Sequence, residues 1–211
     1  MKGDAPPPLF AQQKQSSSRD VSLNKYLVTQ KSPEEGRAVR DAVRSHSVGQ
    51  IASILLPNQW TTGYGLNNVV GNSSYDEFVP PSSAGSTKAR LEFFYRGTQV
   101  PENEAAAFQK ILSSGHVLSR EEYFSLGSIL RGKDRQSAFQ VDLAWTARHN
   151  GKSVLMIEGT FIEDQMRTLI MLIDAGNGGA VVQEVAFTAA ENDYAELKPQ
   201  IEAALQSVKW R

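Results

Sequence analysis

Phe139-Gln140-Val141-Asp142-Leu143-Ala144-Trp145-Thr146-Ala147-Arg148-His149-Asn150-Gly151-Lys152-Ser153-Val154-Leu155-Met156-Ile157-Glu158 decides the architecture of this chain. Phe139, Val141, Leu143, Trp145 and Ala147 alternate with Gln140, Asp142, Ala144, Thr146 and Arg148. That period of two sends successive side chains to opposite faces of a strand. Asn150-Gly151 then separates the run from a second apolar one. An Asn-Gly pair so placed signals a hairpin, because both residues tolerate the positive φ that a type I′ turn requires. With those two residues at the tip, His149 pairs with Lys152, Trp145 with Met156, and Leu143 with Glu158.

Downstream, Glu163-Asp164 reads as a polar turn leading into a strand from Met166 to Ile173. Gly176-Asn177-Gly178-Gly179 turns the chain again, into Val181 to Phe187. Four consecutive strands with short loops form an antiparallel meander. The closing segment is helical: Asp193 and Glu196 make a capping box, and Tyr194, Leu197, Ile201, Leu205 and Val208 form its apolar stripe. Pro199 lacks an N–H, so it kinks this helix or marks its first turn. Trp210 anchors the end.

Upstream, Ala89 to Tyr95 reads as a strand with Leu91, Phe93 and Tyr95 on one face. Pro101-Glu102-Asn103-Glu104 opens a helix carrying Ala105, Phe108, Ile111 and Leu112, which Gly115 stops. A second helix runs from Ser119, boxed by Glu122, through Ile129 and Leu130 to Gly132. Ile51 to Leu56 is a strand ended by Pro57, with a turn that folds Trp60 onto the core. Glycines and prolines punctuate residues 61–88, which read as a long loop with one or two short strands. Ser32-Pro33-Glu34-Glu35 starts a short helix with Ala38, Val39, Ala42 and Val43 on one stripe, ending near Arg44. Residues 1–31 are a flexible leader rich in Pro, Gln and Ser near its start, a composition that buries too little apolar surface to offset ordering. Residues 32–211 then make a single α+β domain, an antiparallel sheet packed by helices that include a C-terminal one.

Composition narrows the chemistry. Of 211 residues, 22 are basic and 23 acidic, and the net charge of −1 provides no global field to attract nucleic acid or anionic lipid. No cysteine is present, which excludes disulfides, thiolate nucleophiles and cysteine-held metal. No apolar run reaches the length of a membrane-spanning helix. The start, Met1-Lys2-Gly3-Asp4-Ala5-Pro6-Pro7-Pro8, has no apolar run after its basic residue and does not read as a signal peptide. The leader reads as a plain disordered terminus or as a tether, including a lipid tether for which the signal has been removed.

Nucleophilic catalysis needs an activated Ser or Thr, and His46, His116 and His149 all read as solvated loop residues, with no GxSxG elbow around any serine. Glu158 is the one carboxylate in an otherwise apolar strand. It is an acid–base group of raised pKa beside the 61–78 loop, or it faces solvent on a sheet edge, or it pairs with a nearby arginine such as Arg167. Asp174-Ala175-Gly176-Asn177-Gly178-Gly179 fails as a calcium loop, since Gly176 and Gly178 stand where side-chain oxygens are required. Gly63-Tyr64-Gly65 and Gly71-Asn72-Ser73-Ser74 match no phosphate-binding pattern. Arg90-Leu91-Glu92-Phe93-Phe94-Tyr95-Arg96 interleaves basic and aromatic residues but reads as a core strand. No catalytic, cofactor-binding or metal-ligating set emerges.

Leu55-Leu56-Pro57 with Trp60 shortly after, the central helices, the meander and the closing Ser207-Val208-Lys209-Trp210 resemble the PsbP/DcrB-like fold group over residues 48–211. That group includes the extrinsic PsbP subunit, bacterial envelope lipoproteins and chaperones of type VI secretion effectors. The resemblance implies a non-catalytic domain that binds another protein or supports assembly. It implies a cell-envelope or periplasmic location, against a cytoplasmic alternative. Leu155 and Ile157, on the face opposite Trp145 and Met156, are the candidate partner surface, because both faces of the meander carry apolar residues. The alternatives are an enzyme built around Glu158 and a carrier holding a small apolar ligand between sheet and helices.

Overall fold

A computed structural model describes residues 43–57, 59–63, 68–70, 73–81, 89–131 and 139–211. The strands are β1 (Val43–Val48), β2 (Ile51–Pro57), β3 (Thr61–Thr62), β4 (Asn68–Val70), β5 (Ser73–Val79), β6 (Arg90–Gln99), β7 (Phe139–His149), β8 (Lys152–Phe161), β9 (Met166–Gly176), β10 (Val181–Ala190) and β11 (Lys209–Trp210). The helices are α1 (Glu102–Leu112), α2 (Arg120–Phe124), α3 (Gly127–Arg131) and α4 (Glu191–Gln206). The class is α+β, with antiparallel sheets, helices beside them and a C-terminal helix.

The larger sheet has eight strands in the order β3-β5-β6-β10-β9-β8-β7, with β4 also paired to β5. Its β7–β10 portion is the expected meander. Asn150 and Gly151 have φ of 46° and 89°, and the register is His149↔Lys152, Trp145↔Met156 and Leu143↔Glu158. A bulge then shifts the pairing between Val141 and Leu143, leaving Asp142 as the extra residue. A smaller sheet, β1-β2-β11, joins the two ends of the described region.

Two packed layers follow from the period of two. Val154 and Met156 of β8, Leu169 and Met171 of β9, and Val185 and Phe187 of β10 meet the small sheet's Ile51, Ile54 and Leu56, together with Tyr194, Ile201 and Leu205 of α4. Leu155, Ile157, Ile170 and Leu172 alternate with these and face the other way. They are buried as well, on the side where α1 lies against β8 with Phe108, Ile111 and Leu112 inward. Helix α4 and the small sheet cover one face, and α1 lies on the other.

Several readings need correction. Residues 1–42, which hold the leader and nearly all of the proposed first helix, lie outside the described residues. Val43 and Arg44 open β1 rather than closing that helix, because Gly49-Gln50 folds β1 back onto β2. The described residues within 61–88 include three strands, and β5 is a full-length one. The helix drawn from Ser119 to Gly132 is two short ones broken at Ser125-Leu126; the capping box at Ser119 and Glu122 is present. Helix α4 starts at Glu191, so Asp193 lies inside its first turn, no side chain caps it, and Pro199 is internal. Trp210 does anchor the end, its indole Nε1 donating to the His149 carbonyl at 2.7 Å.

Gln183 joins the two sheets. It is fully buried on β10, accepts from the Gln50 N–H at 2.8 Å, and donates to the Val48 carbonyl at 3.4 Å. Gly49 has φ of 53°, and a Cβ there would meet the Gln183 amide. Gly49→Ala combines a left-handed backbone with this contact and is expected to cost about 2 kcal/mol. A thermal melt against the parent chain checks it.

Candidate functional site

Glu158 projects from β8 toward α4. Its Oε1 accepts from Arg167 Nη2 at 3.1 Å, from the Tyr194 hydroxyl at 2.9 Å and from Lys198 Nζ at 2.9 Å, while Oε2 accepts from the same ammonium at 2.9 Å. Arg167 Nη1 also donates to Asp142, the bulge residue, at 2.7 Å. Burial pushes the Glu158 carboxyl upward, but hydrogen bonds from Lys198 and Tyr194 and the charges of Lys198 and Arg167 outweigh it, so its pKa lies below the usual range. Burial and the neighbouring Glu158 raise the Tyr194 phenol. Both cations lie over the Tyr194 ring, at 5.3 and 5.7 Å from its centroid. A general acid needs a raised pKa and a general base needs a lone pair open to substrate. The pKa of Glu158 is lowered rather than raised, and its carboxylate, 12% exposed, is shared by three donors: it holds the sheet to α4. Within the 61–78 stretch β5 is also remote, since β5 and β8 are separated by β6, β10 and β9, or roughly 19 Å at the usual strand spacing.

The structure brings together a constellation that the sequence did not suggest. Ser114 Oγ lies 3.2 Å from His116 Nδ1, and His116 Nε2 lies 3.0 Å from Glu122 Oε1. These distances imitate a Ser–His–Glu relay beside a cleft of about 180 Å³ lined by Ser113, Ser114, Gly115, Thr146, Ala147, Arg148 and Ser153. The protonation is wrong for one. Nδ1 also lies 3.1 Å from the Ser114 carbonyl, and this hydrogen bond, with that to Glu122, raises the imidazole pKa. A protonated Nδ1 has no lone pair for the Ser114 hydroxyl. The cluster clasps the 114–122 segment instead, helped by the Thr146 hydroxyl, which donates to the Ser114 carbonyl at 2.6 Å and accepts from the His116 N–H at 2.8 Å.

His116 is the solvated loop residue expected, but the other two histidines are not. His46 lies in β1, with Nε2 3.1 Å from Asp76 Oδ2 and its ring centroid 4.6 Å from that of Phe78. His149 closes β7, and burial lowers its pKa.

Leu155 and Ile157, the expected partner surface, are 0% and 1% exposed. Their direction was read correctly, but α1 lies on that side of the sheet. The apolar residues left outside lie elsewhere, and two of them adjoin the β7 edge. Val117 is 59% and Leu143 38% exposed. Val117 forms an isolated antiparallel bridge with Trp145, flanked by Leu118 N–H to the Ala144 carbonyl at 2.8 Å and Thr146 N–H to the His116 carbonyl at 2.9 Å. Residues bridged in this way project to one side, so Val117 and Leu143 share a face with Trp145. The chain leaves the edge at Ser119, the cap of α2. Toward Phe139, β7 is the outermost strand of the sheet among the described residues.

Among the described residues no helix is long and apolar enough to cross a membrane, and no cluster of His, Asp and Glu could hold a metal ion. No family model and no curated protein matches the chain. Among solved structures it is similar to the cyanobacterial PsbP (CyanoP) of Synechocystis sp. PCC 6803, at 11% identity and a TM-score of 0.49, over 81% of this chain and 93% of that one. It is also similar to PA94 of Pseudomonas aeruginosa, a protein of unknown function, at 12% identity and a TM-score of 0.46, over 80% of this chain and 97% of that one. The first bears the name of the group that the Leu-Pro-x-x-Trp turn and the terminal Ser-Val-x-Trp resemble. At such TM-scores neither likeness bears on what the chain does.

Proposed function

We propose that this domain is a non-catalytic protein-binding module that receives an extended segment of another protein along the outer edge of β7. The observation that carries the reading is the seating of Val117 on that edge. The chain's own backbone already pairs antiparallel with Ala144 and Thr146, so the edge accepts extended chain, and Leu143 beside it offers an exposed apolar side chain. Strand addition draws affinity from main-chain hydrogen bonds and specificity from such flanking side chains. The bulge at Asp142 limits unselective pairing of the edge. In this proposal residues 1–31 are a tether for a domain spanning 32–211, and the setting is a cell envelope or secretion system.

The test uses the intact chain and the variant Val117→Asp/Leu143→Asp, with Phe124→Asp as an exposed apolar control. The double variant is expected to keep the parent's circular dichroism and to bind a captured partner about tenfold more weakly. Partner binding should slow amide exchange within residues 139–143. Equal affinity of the double variant, or unchanged exchange along β7, would sink the proposal.

A further inference from the structure

The chain turns at two Asn-Gly pairs, and they differ in one chemical respect. Asn150 and Gly151 have φ of 46° and 89°, and Asn177 and Gly178 have 55° and 62°. In such a pair the glycine nitrogen can attack the asparagine side-chain carbonyl carbon, since glycine has no Cβ to obstruct the approach. A C–N bond forms, the side-chain nitrogen leaves as ammonia, and the resulting five-membered imide takes up water to give aspartate or isoaspartate. The reaction requires a side-chain amide that is free to rotate over the next peptide nitrogen.

Asn150 lacks that freedom. Its Nδ2 donates to the Gln206 carbonyl at 3.1 Å and to the Val208 carbonyl at 2.6 Å, at the C-terminal end of α4. The turn is held again by Trp210 Nε1 on the His149 carbonyl at 2.7 Å and by Arg148 Nε on the Gly151 carbonyl at 3.2 Å. Asn177 is exposed between two exposed glycines, and its side chain makes no hydrogen bond among the described residues. Its backbone carbonyl accepts from Ala180 N–H at 3.3 Å.

We propose that Asn177 is a site of spontaneous deamidation, and that Asn150 is shielded from the same reaction while residues 206–210 are docked. The shield is also a trap. Deamidation of Asn150 would set a carboxylate against two carbonyl oxygens at the negative end of α4, so reaction there opposes redocking.

The intact chain is incubated in mildly alkaline buffer and mapped by peptide mass spectrometry, with isoaspartate detected by enzymatic methylation. The Asn177 peptide is expected to convert roughly tenfold faster than the Asn150 peptide, because the latter waits on local opening. In urea the two rates should converge. In Trp210→Ala, which removes one clamp, Asn150 should accelerate while Asn177, as internal reference, stays unchanged. Conversion of Asn150 as fast as Asn177 in the folded chain overturns the shielding. Conversion of both only in urea overturns the assignment of Asn177.

Discussion

Ile157→Asp is expected to leave the domain unfolded. Ile157 is 1% exposed, and its neighbours on that side of the sheet, Leu155 on its own strand and Ile170 and Leu172 on β9, are equally enclosed. The substitution forfeits about 2–3 kcal/mol of apolar burial and strands a carboxylate where neither water nor a cation reaches it. Protonation relieves part of that, but the sum is of the order of the 5–15 kcal/mol that holds a domain together. Leu155→Asp should behave alike. Circular dichroism and amide proton dispersion decide the matter. A folded variant with a lost partner would restore these two residues as a docking surface and show that α1 does not seal that side.

The second large effect is expected at Glu158. Glu158→Leu removes the shared acceptor of Arg167, Lys198 and Tyr194; Arg167 keeps Asp142 at 2.7 Å, and Lys198 keeps only the looser Glu202 at 3.8 Å. Breaking a fully buried pair from one side costs about 3–5 kcal/mol; with Arg167 and Lys198 still 23% and 28% exposed, a loss of about 2–3 kcal/mol is expected. The pH dependence has a definite sign. The folded pKa of Glu158 lies below its unfolded value, so its contribution is complete above the ordinary glutamate range and is lost as pH falls through the folded pKa. Urea midpoints of parent and variant should therefore differ most near neutrality and converge in acid. A gap that persists unchanged in acid would mean that Glu158 contributes through packing alone.

The meander was legible because one signal governs it. A two-residue turn fixes register, register fixes parity, and parity assigns Val154 and Met156 to one face and Leu155 and Ile157 to the other. What covers each face was not legible, since that depends on where α1 and the small sheet dock, and neither placement is written in local periodicity. β1 escaped notice because Val43-Arg44-Ser45-His46-Ser47-Val48 has no alternating pattern of its own; it is a strand because β2 pairs with it. β5 was hidden by Asp76 and Glu77, which read as loop residues yet are buried in the sheet. The break at Ser125-Leu126 was masked by a good capping box, which marks where a helix begins and says nothing of its length. At the site level, the pairing of Glu158 with Arg167 was one of the alternatives the sequence offered, and the strands place the two residues diagonally across β8 and β9. The seating of Val117 on β7 did not, because a single bridge between residues 28 positions apart leaves no mark in either segment.

The pairing of β11 with β2 has a bearing on how this molecule is made. Lys209 meets Ser53, and Arg211 reaches back to the Gln50 carbonyl and the Ser47 hydroxyl. A ribosome delivers β1 and β2 early, yet their third companion emerges only after the whole large sheet has been synthesised. A two-stranded ribbon on its own is marginal in water. The nascent β1–β2 hairpin therefore waits with Ile51, Ile54 and Leu56 unburied until residues 209–211 emerge, and their pairing ends its exposure to chaperones and proteases.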